Sequence, residues 1–294
     1  MIKFIIFLML CKILNAQIHL NRTNLAYLCN CDPLNTSSIR LSNQNIKTID
    51  PDTFTGLTFL QRLTLSGNHL SVLNASTFHG LTSLRELYMS GNQISSIDSG
   101  LFNGLISLQE IALNENVITH IDPATFKGLP LLSGLGLISN QITSIDPATF
   151  HGLTSLRGLA LSFNQIAALD PATFTGLASL QELWLNSNQI SAIDSATFNG
   201  LTSLQNLVLQ KNKIIYINED LFKDLINLNH LDLESNEIVS FNKNALNGLE
   251  KLNKICLYDN PVSVLFPTFL TNICSMNPNC QVYISTICSY EKKN

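Results

Sequence analysis

An asparagine returns every 24 residues, at Asn68, Asn92, Asn116, Asn140, Asn164, Asn188, Asn212, Asn236 and Asn260, and the spacing never slips. Phenylalanine keeps the same interval at Phe54, Phe78, Phe102, Phe126, Phe150, Phe174, Phe198 and Phe222, and Leu246 takes the next beat. A fixed period of this size means that each unit is one short motif that can bury its apolar face only by stacking on its neighbours. A chain of 294 residues built this way needs no division into globular domains, because its core grows along one dimension.

The segment "LQRLTLSGN", Leu60 to Asn68, shows what one unit demands. Leu63 and Leu65 alternate with Arg62, Thr64 and Ser66, which predicts a short strand with one buried face. Each strand would pair with its copy in the next unit to make a parallel sheet. Asn68 falls in the following turn, where an inward amide can satisfy the polar backbone of its own turn and of the neighbouring unit. The later segment "DPATF" places Asp146 to cap a helical turn and Pro147 at its first position, where a missing N–H costs nothing. Asp50–Pro51, Asp122–Pro123 and Asp170–Pro171 repeat that pair. A short outer helix is expected there, burying Phe150 and Leu153, with the phenylalanines stacked as a spine behind the sheet.

Both ends differ from the middle. Residues 1–16, "MIKFIIFLMLCKILNA", have an early lysine, a short apolar run and a small residue at the end, the layout of a cleaved secretory signal. No later run reaches the length of a membrane helix, so a secreted, extracellular product without a membrane span is expected. Beyond the signal, the cysteines are Cys29 and Cys31, then Cys256, Cys274, Cys280 and Cys288. An even number, confined to the ends of a secreted chain, reads as disulfide stapling. Cys29 and Cys31 are too close in sequence to bridge each other without strain, and one left unpaired could link two chains as a homodimer. Sequons at Asn21, Asn35 and Asn74 are candidate glycosylation sites. The formal net charge of -4 argues against a nucleic-acid partner, since proteins that bind nucleic acid are generally basic.

The frame L-x-x-L-x-L-x-x-N-x-I-x-x-I-x-x-x-x-F-x-G-L resembles the typical extracellular leucine-rich repeat. Slit-like guidance proteins, Toll-like receptor ectodomains and lamprey variable lymphocyte receptors carry it. Here it runs from about Ile39 to Pro261. The resemblance implies an α/β solenoid: a horseshoe with a concave parallel β-sheet and short helices or turns on the convex side. It divides the chain into a signal peptide (1–16), an N-terminal cap (17–38), ten repeats (39–260) and a C-terminal cap (261–294). Three features depart from the family. Gln44 stands where the ladder calls for Asn, "LCNCDP" supplies two cap cysteines instead of four, and "NPVSV" lacks the usual C-x-C pair. Four C-terminal cysteines allow three pairings; the alternating pattern of such caps implies Cys256–Cys280 with Cys274–Cys288.

Since folding occupies the repeated letters, function is sought in what varies. The central concave row reads Arg40, Thr64, Tyr88, Ala112, Gly136, Ala160, Trp184, Val208, Asp232 and Cys256. Trp184, with Val208 beside it and Ile138 and Phe163 at the turnward edge, forms a candidate binding hot spot. From Tyr88 to Trp184 the small residues predict a trough roughly 19 Å long at four strand spacings, suited to a partner's loop or strand. His230, Asp232 and Glu234 form a second, polar patch on one strand. They are expected as solvated side chains rather than a metal or catalytic site, which would be shallow and exposed. No phosphate-cradling Gly loop or nucleophile elbow occurs. The expected function is non-catalytic recognition of an extracellular protein or glycan through the concave face, with no cofactor or metal. A self-associating matrix or assembly protein is the alternative.

Overall fold

The alternating leucines do form strands: from Ser38–Arg40 to Lys254–Cys256, each three-residue strand has its central leucine or isoleucine buried. The computed structural model describes residues 17–242, 244–265 and 280–284. The chain divides into two compact units, residues 1–141 and 142–294. The expected leader (1–16), Cys274 and Cys288 lie outside the described residues.

The first unit contains β1 (Ile18–Leu20), α1 (Arg22–Cys29), β2 (Ser38–Arg40), β3 (Ile46–Ile49), β4 (Arg62–Thr64), β5 (Glu86–Tyr88), β6 (Glu110–Ala112) and β7 (Gly134–Gly136). Strands β2, β4, β5, β6 and β7 pair in that order, all parallel, and β1 pairs with β3 separately. The second unit contains β8 (Gly158–Ala160), β9 (Glu182–Trp184), β10 (Asn206–Val208), β11 (Tyr216–Ile217), β12 (His230–Asp232), β13 (Ser240–Phe241), β14 (Lys254–Cys256), α2 (Pro261–Leu265) and β15 (Gln281–Tyr283). Strands β8, β9, β10, β12, β14 and β15 run parallel in that order. Each unit is therefore a parallel β-solenoid with a sheet on one side and turns on the other.

The asparagine ladder works as the turn chemistry predicts. Asn188 Oδ1 accepts the Ile166 N–H at 3.0 Å. Its Nδ2 donates to the carbonyls of Leu161 and Leu185, both at 3.0 Å. One buried amide thus joins its own turn to the preceding repeat. Asn92, Asn116, Asn212 and Asn236 make the equivalent bonds. The phenylalanines stack behind the sheet, with centroid separations of 5.9–6.1 Å in the first unit and 6.2–6.4 Å in the second.

Two expectations fail on local geometry. The outer helices are turns: Asp146 Oδ1 accepts the Ala148 N–H at 2.8 Å and the Thr149 N–H reaches the Asp146 carbonyl at 3.0 Å. Gly152 then adopts φ 84°, and the left-handed residue ends the segment before a helical ladder can propagate. At the N-terminal end, Cys29 and Cys31 are bonded to each other. Cys29 closes α1, and Asn30 turns left-handed at φ 50°. That reversal sets the two Cα atoms 5.3 Å apart, inside the range a disulfide spans. Neither cysteine is therefore left as a thiol that could link a second chain.

Replacing Asn188 by Ala should lower stability by about 3 kcal/mol, since several buried backbone groups lose their partner together. Asp146→Ala, at an exposed turn, should cost about 1 kcal/mol. Urea denaturation of both variants checks the order; equal effects would contradict the ladder's primacy.

Candidate functional site

The alternation that buries Leu63, Leu87 and Leu183 turns their neighbours outward, and parallel register lines these up across the sheet. In the first unit Arg40, Thr64, Tyr88, Ala112 and Gly136 are successive partners. In the second, Ala160, Trp184, Val208, Asp232, Cys256 and Tyr283 follow one another. The row expected from the sequence is thus present within each unit.

The hot-spot residues differ in what they offer. Phe163 is 55% exposed, Trp184, Ile138 and Tyr88 are half-buried, and Val208 is only 1% exposed. Val208 sits between the register partners Trp184 and Asp232, and its burial removes it from the contact surface. The floor is also less open than expected. A Cβ on Gly136 would meet Asn114 Oδ1 at 2.7 Å, because the Asn114 side chain crosses that strand to accept the Ile138 N–H at 2.9 Å.

Phe163 stands out from its equivalents. The residue before each ladder asparagine is left-handed: Gly67, Gly91, Glu115, Ser139, Phe163, Ser187, Lys211, Ser235 and Asp259 all have φ between 53 and 69°. Glycine or small and polar residues suit that conformation. Phe163 combines a disfavoured backbone with an exposed apolar ring.

A polar network unforeseen from the sequence surrounds Tyr88. Arg62 pairs with Glu86, and the guanidinium holds that carboxyl below the usual carboxylate range. The Tyr88 hydroxyl lies 2.8 Å from Glu86 Oε2 and 2.7 Å from Glu110 Oε2. Burial, with the two carboxylates beside it, pushes the hydroxyl well above the usual tyrosine range. In the second unit, Trp184 Nε1–H donates to Glu182 Oε2 at 3.3 Å. The signal was legible as Glu86-x-Tyr88 and Glu182-x-Trp184, since residues two apart on a strand share a face.

The second patch is not solvated. His230, Asp232 and Glu234 are buried, Asp232 completely. β12 lies between β10 and β14, with β15 added beyond, so this stretch is interior to its sheet. Burial, reinforced by the Lys254 charge, lowers the His230 pKa to about 4. Burial, reinforced by the Glu234 charge, raises that of Asp232 to about 6 against the Glu234 amide and Lys254. Asp232 Oδ1 accepts the Glu234 N–H at 3.0 Å, while Oδ2 has no hydrogen-bond partner among the described residues. His230, Asp232 and Cys256 bring potential ligand atoms within 4.8 Å of one another. Cys256 and Cys280 are both disulfide-bonded, however, and a disulfide sulfur lacks the thiolate that binds metal. Of the sequon asparagines, Asn35 and Asn74 are exposed, while Asn21 is half-buried and caps α1 through Oδ1.

The two buried groups pull stability in opposite directions. Between pH 4 and 6 folded Asp232 holds more protons than the unfolded chain, so its contribution falls as pH rises. Folded His230 holds fewer over a similar window, so its contribution rises. Asp232→Asn removes the first effect alone. The variant should gain on wild type by about 2 kcal/mol between pH 4 and 7. Urea midpoints at both pH values measure this; a pH-independent difference would refute the buried-acid assignment.

Comparison with known proteins places these features. A family model described as leucine rich repeat matches residues 35–94, 90–142, 118–166, 130–190, 156–214, 180–225 and 202–262. In a comparison with curated proteins, none matches the chain. Among solved structures, a chain of the TLR13–ssRNA13 complex is 30% identical with a TM-score of 0.75, over 81% of this chain and 34% of that one. A chain of the Drosophila Toll–Spatzle complex is 20% identical with a TM-score of 0.59, over 83% and 40%. A chain of the octameric complex of Latrophilin 3, Unc5D and FLRT2 (LRR) is 21% identical with a TM-score of 0.64, over 88% and 87%. The last two show likeness of fold alone, and this chain spans about a third of the TLR13 chain and two fifths of the Toll chain. The TLR13 structure is a complex with single-stranded RNA, which overturns the exclusion of nucleic acid drawn from net charge. A whole-chain sum does not set the potential of a local surface, and Arg40 and Arg62 lie on the sheet face of this acidic chain. Among the described residues, no helix is long and apolar enough to cross a membrane.

Proposed function

The chain belongs to the leucine-rich repeat family, and on that premise we propose that it is a secreted, non-catalytic recognition module that binds an extracellular protein or glycan through its sheet face. The observation that carries this reading is Phe163, an exposed ring at φ 55°. The turn requires the left-handed backbone but not a phenylalanine, so a bulky exposed ring there points to a role outside the fold. Trp184 supplies a second aromatic nearby in the chain's second unit, and rigid aromatics are the usual anchors of protein contacts. Secretion is supported by the signal-like first 16 residues and by the Cys29–Cys31 disulfide. The TLR13 complex adds single-stranded RNA to the ligands worth presenting.

Phe163→Gly should stabilise the fold by about 1 kcal/mol, because glycine adopts the left-handed region freely. It should also weaken ligand binding at least tenfold. The mature chain, Phe163→Gly and Trp184→Glu, presented to extracellular proteins, glycans and RNA, should separate: a ligand held by the first and lost by both variants is the expected result. Equal capture by all three would exclude the sheet face.

A further inference from the structure

Each unit carries on its sheet face a glutamate bonded to an aromatic residue, across neighbouring strands in the first unit and within one strand in the second. In the first, Glu110 accepts the Tyr88 hydroxyl at 2.7 Å, and its register partner on the next strand is Gly134. In the second, Glu182 accepts the Trp184 Nε1–H at 3.3 Å, and its register partner is Gly158. Both carboxylates are exposed. Neither forms an ion pair among the described residues, although Arg62, paired with Glu86, lies within electrostatic reach of Glu110. The glycines leave room beside them: a Cβ on Gly158 would meet nothing within 4 Å, and one on Gly134 would make an ordinary 3.6 Å contact with Glu110 Cγ.

An aromatic ring hydrogen-bonded to an exposed carboxylate, with space alongside, has the parts of a receptor for a cation. The negative face of the ring attracts an ammonium or guanidinium group. The carboxylate offers that group a charge-assisted hydrogen bond, bidentate in the case of guanidinium. The aromatic donor holds the carboxylate in place beforehand, which reduces the ordering cost of binding. The chain already makes one such contact internally, with Lys254 Nζ 5.2 Å from the centroid of the Tyr283 ring. A phosphate at either position would meet a carboxylate instead.

Resting on the sheet-face reading above, we infer that Tyr88–Glu110 in the first unit and Trp184–Glu182 in the second each receive an arginine or lysine side chain of a protein partner. The glutamates set the charge preference of the face, while Phe163 and Trp184 supply apolar contact. This assigns roles to Glu110 and Glu182, which the repeat itself does not require: the same strand position is held by Ser38, Arg62, Gly134 and Asn206 elsewhere.

Fluorescence anisotropy tests the inference with three labelled probes: an alternating Arg-Ser peptide, the same peptide with citrulline for arginine, and a single-stranded RNA of 13 nucleotides. The arginine peptide should bind the mature chain at least tenfold more tightly than the citrulline peptide. Glu110→Gln and Glu182→Gln should each weaken it three- to tenfold, and raised salt should weaken it further. Both substitutions are isosteric and exposed, and circular dichroism verifies their folding. Equal binding of the two peptides, unchanged binding by both variants, or binding of RNA but not of the arginine peptide would overturn the inference. A captured protein lost by Phe163→Gly but retained by both glutamine variants would overturn it too, yet leave the sheet-face function standing.

Discussion

The buried asparagine at each turn is the interaction on which the rest depends. A solenoid must bend its backbone sharply inside its own core once per repeat, and peptide groups there have no water to meet. Asn188 resolves this for its turn by accepting from the Ile166 N–H and donating to Leu161 and Leu185. Since Ile166 and Leu161 belong to the preceding repeat, the same bonds fix the stagger between units. Register follows from that stagger, and the rows of outward residues follow from register. A slip of one residue would exchange the buried leucines for their outward neighbours.

Repetition also separates the parts that fold from the parts that vary. The leucines, the asparagines and the stacked phenylalanines fill positions whose neighbours are copies of themselves, so their chemistry has little freedom. The outward strand positions and the left-handed turn position touch no fixed neighbour. There the chain places Tyr88 with Glu110, Trp184 with Glu182, and Phe163 in a conformation it does not favour. Aromatic rings held by carboxylates beside glycines are costly surfaces for a chain that only needs to fold. They are suited to a ligand that brings positive charge and apolar area together.

The second unit carries a different solution around β12. His230 and Asp232 lie on outward positions by alternation but are buried in the structure. Their opposite displacements, toward neutral imidazole and toward neutral carboxyl, have one cause in the loss of water. Cys256 shares the row and is tied into a disulfide. The His230–Asp232 patch therefore offers no solvated surface, and the binding reading rests on Phe163, Trp184 and Tyr88.

The sequence by itself determined the repeat, its strands, their register and the spine, because each of these is a periodic demand that a 24-residue interval states nine times over. It also determined which residues stand on the variable face, since alternation assigns sides. Only the tertiary structure decided what that face presents. Val208 and Asp232 are buried, and the Asn114 side chain from the preceding repeat lies across Gly136. The Cys29–Cys31 bond likewise needed the left-handed turn at Asn30. Periodicity fixes where a side chain starts, whereas burial, bonding and charge depend on what the adjacent repeats place beside it.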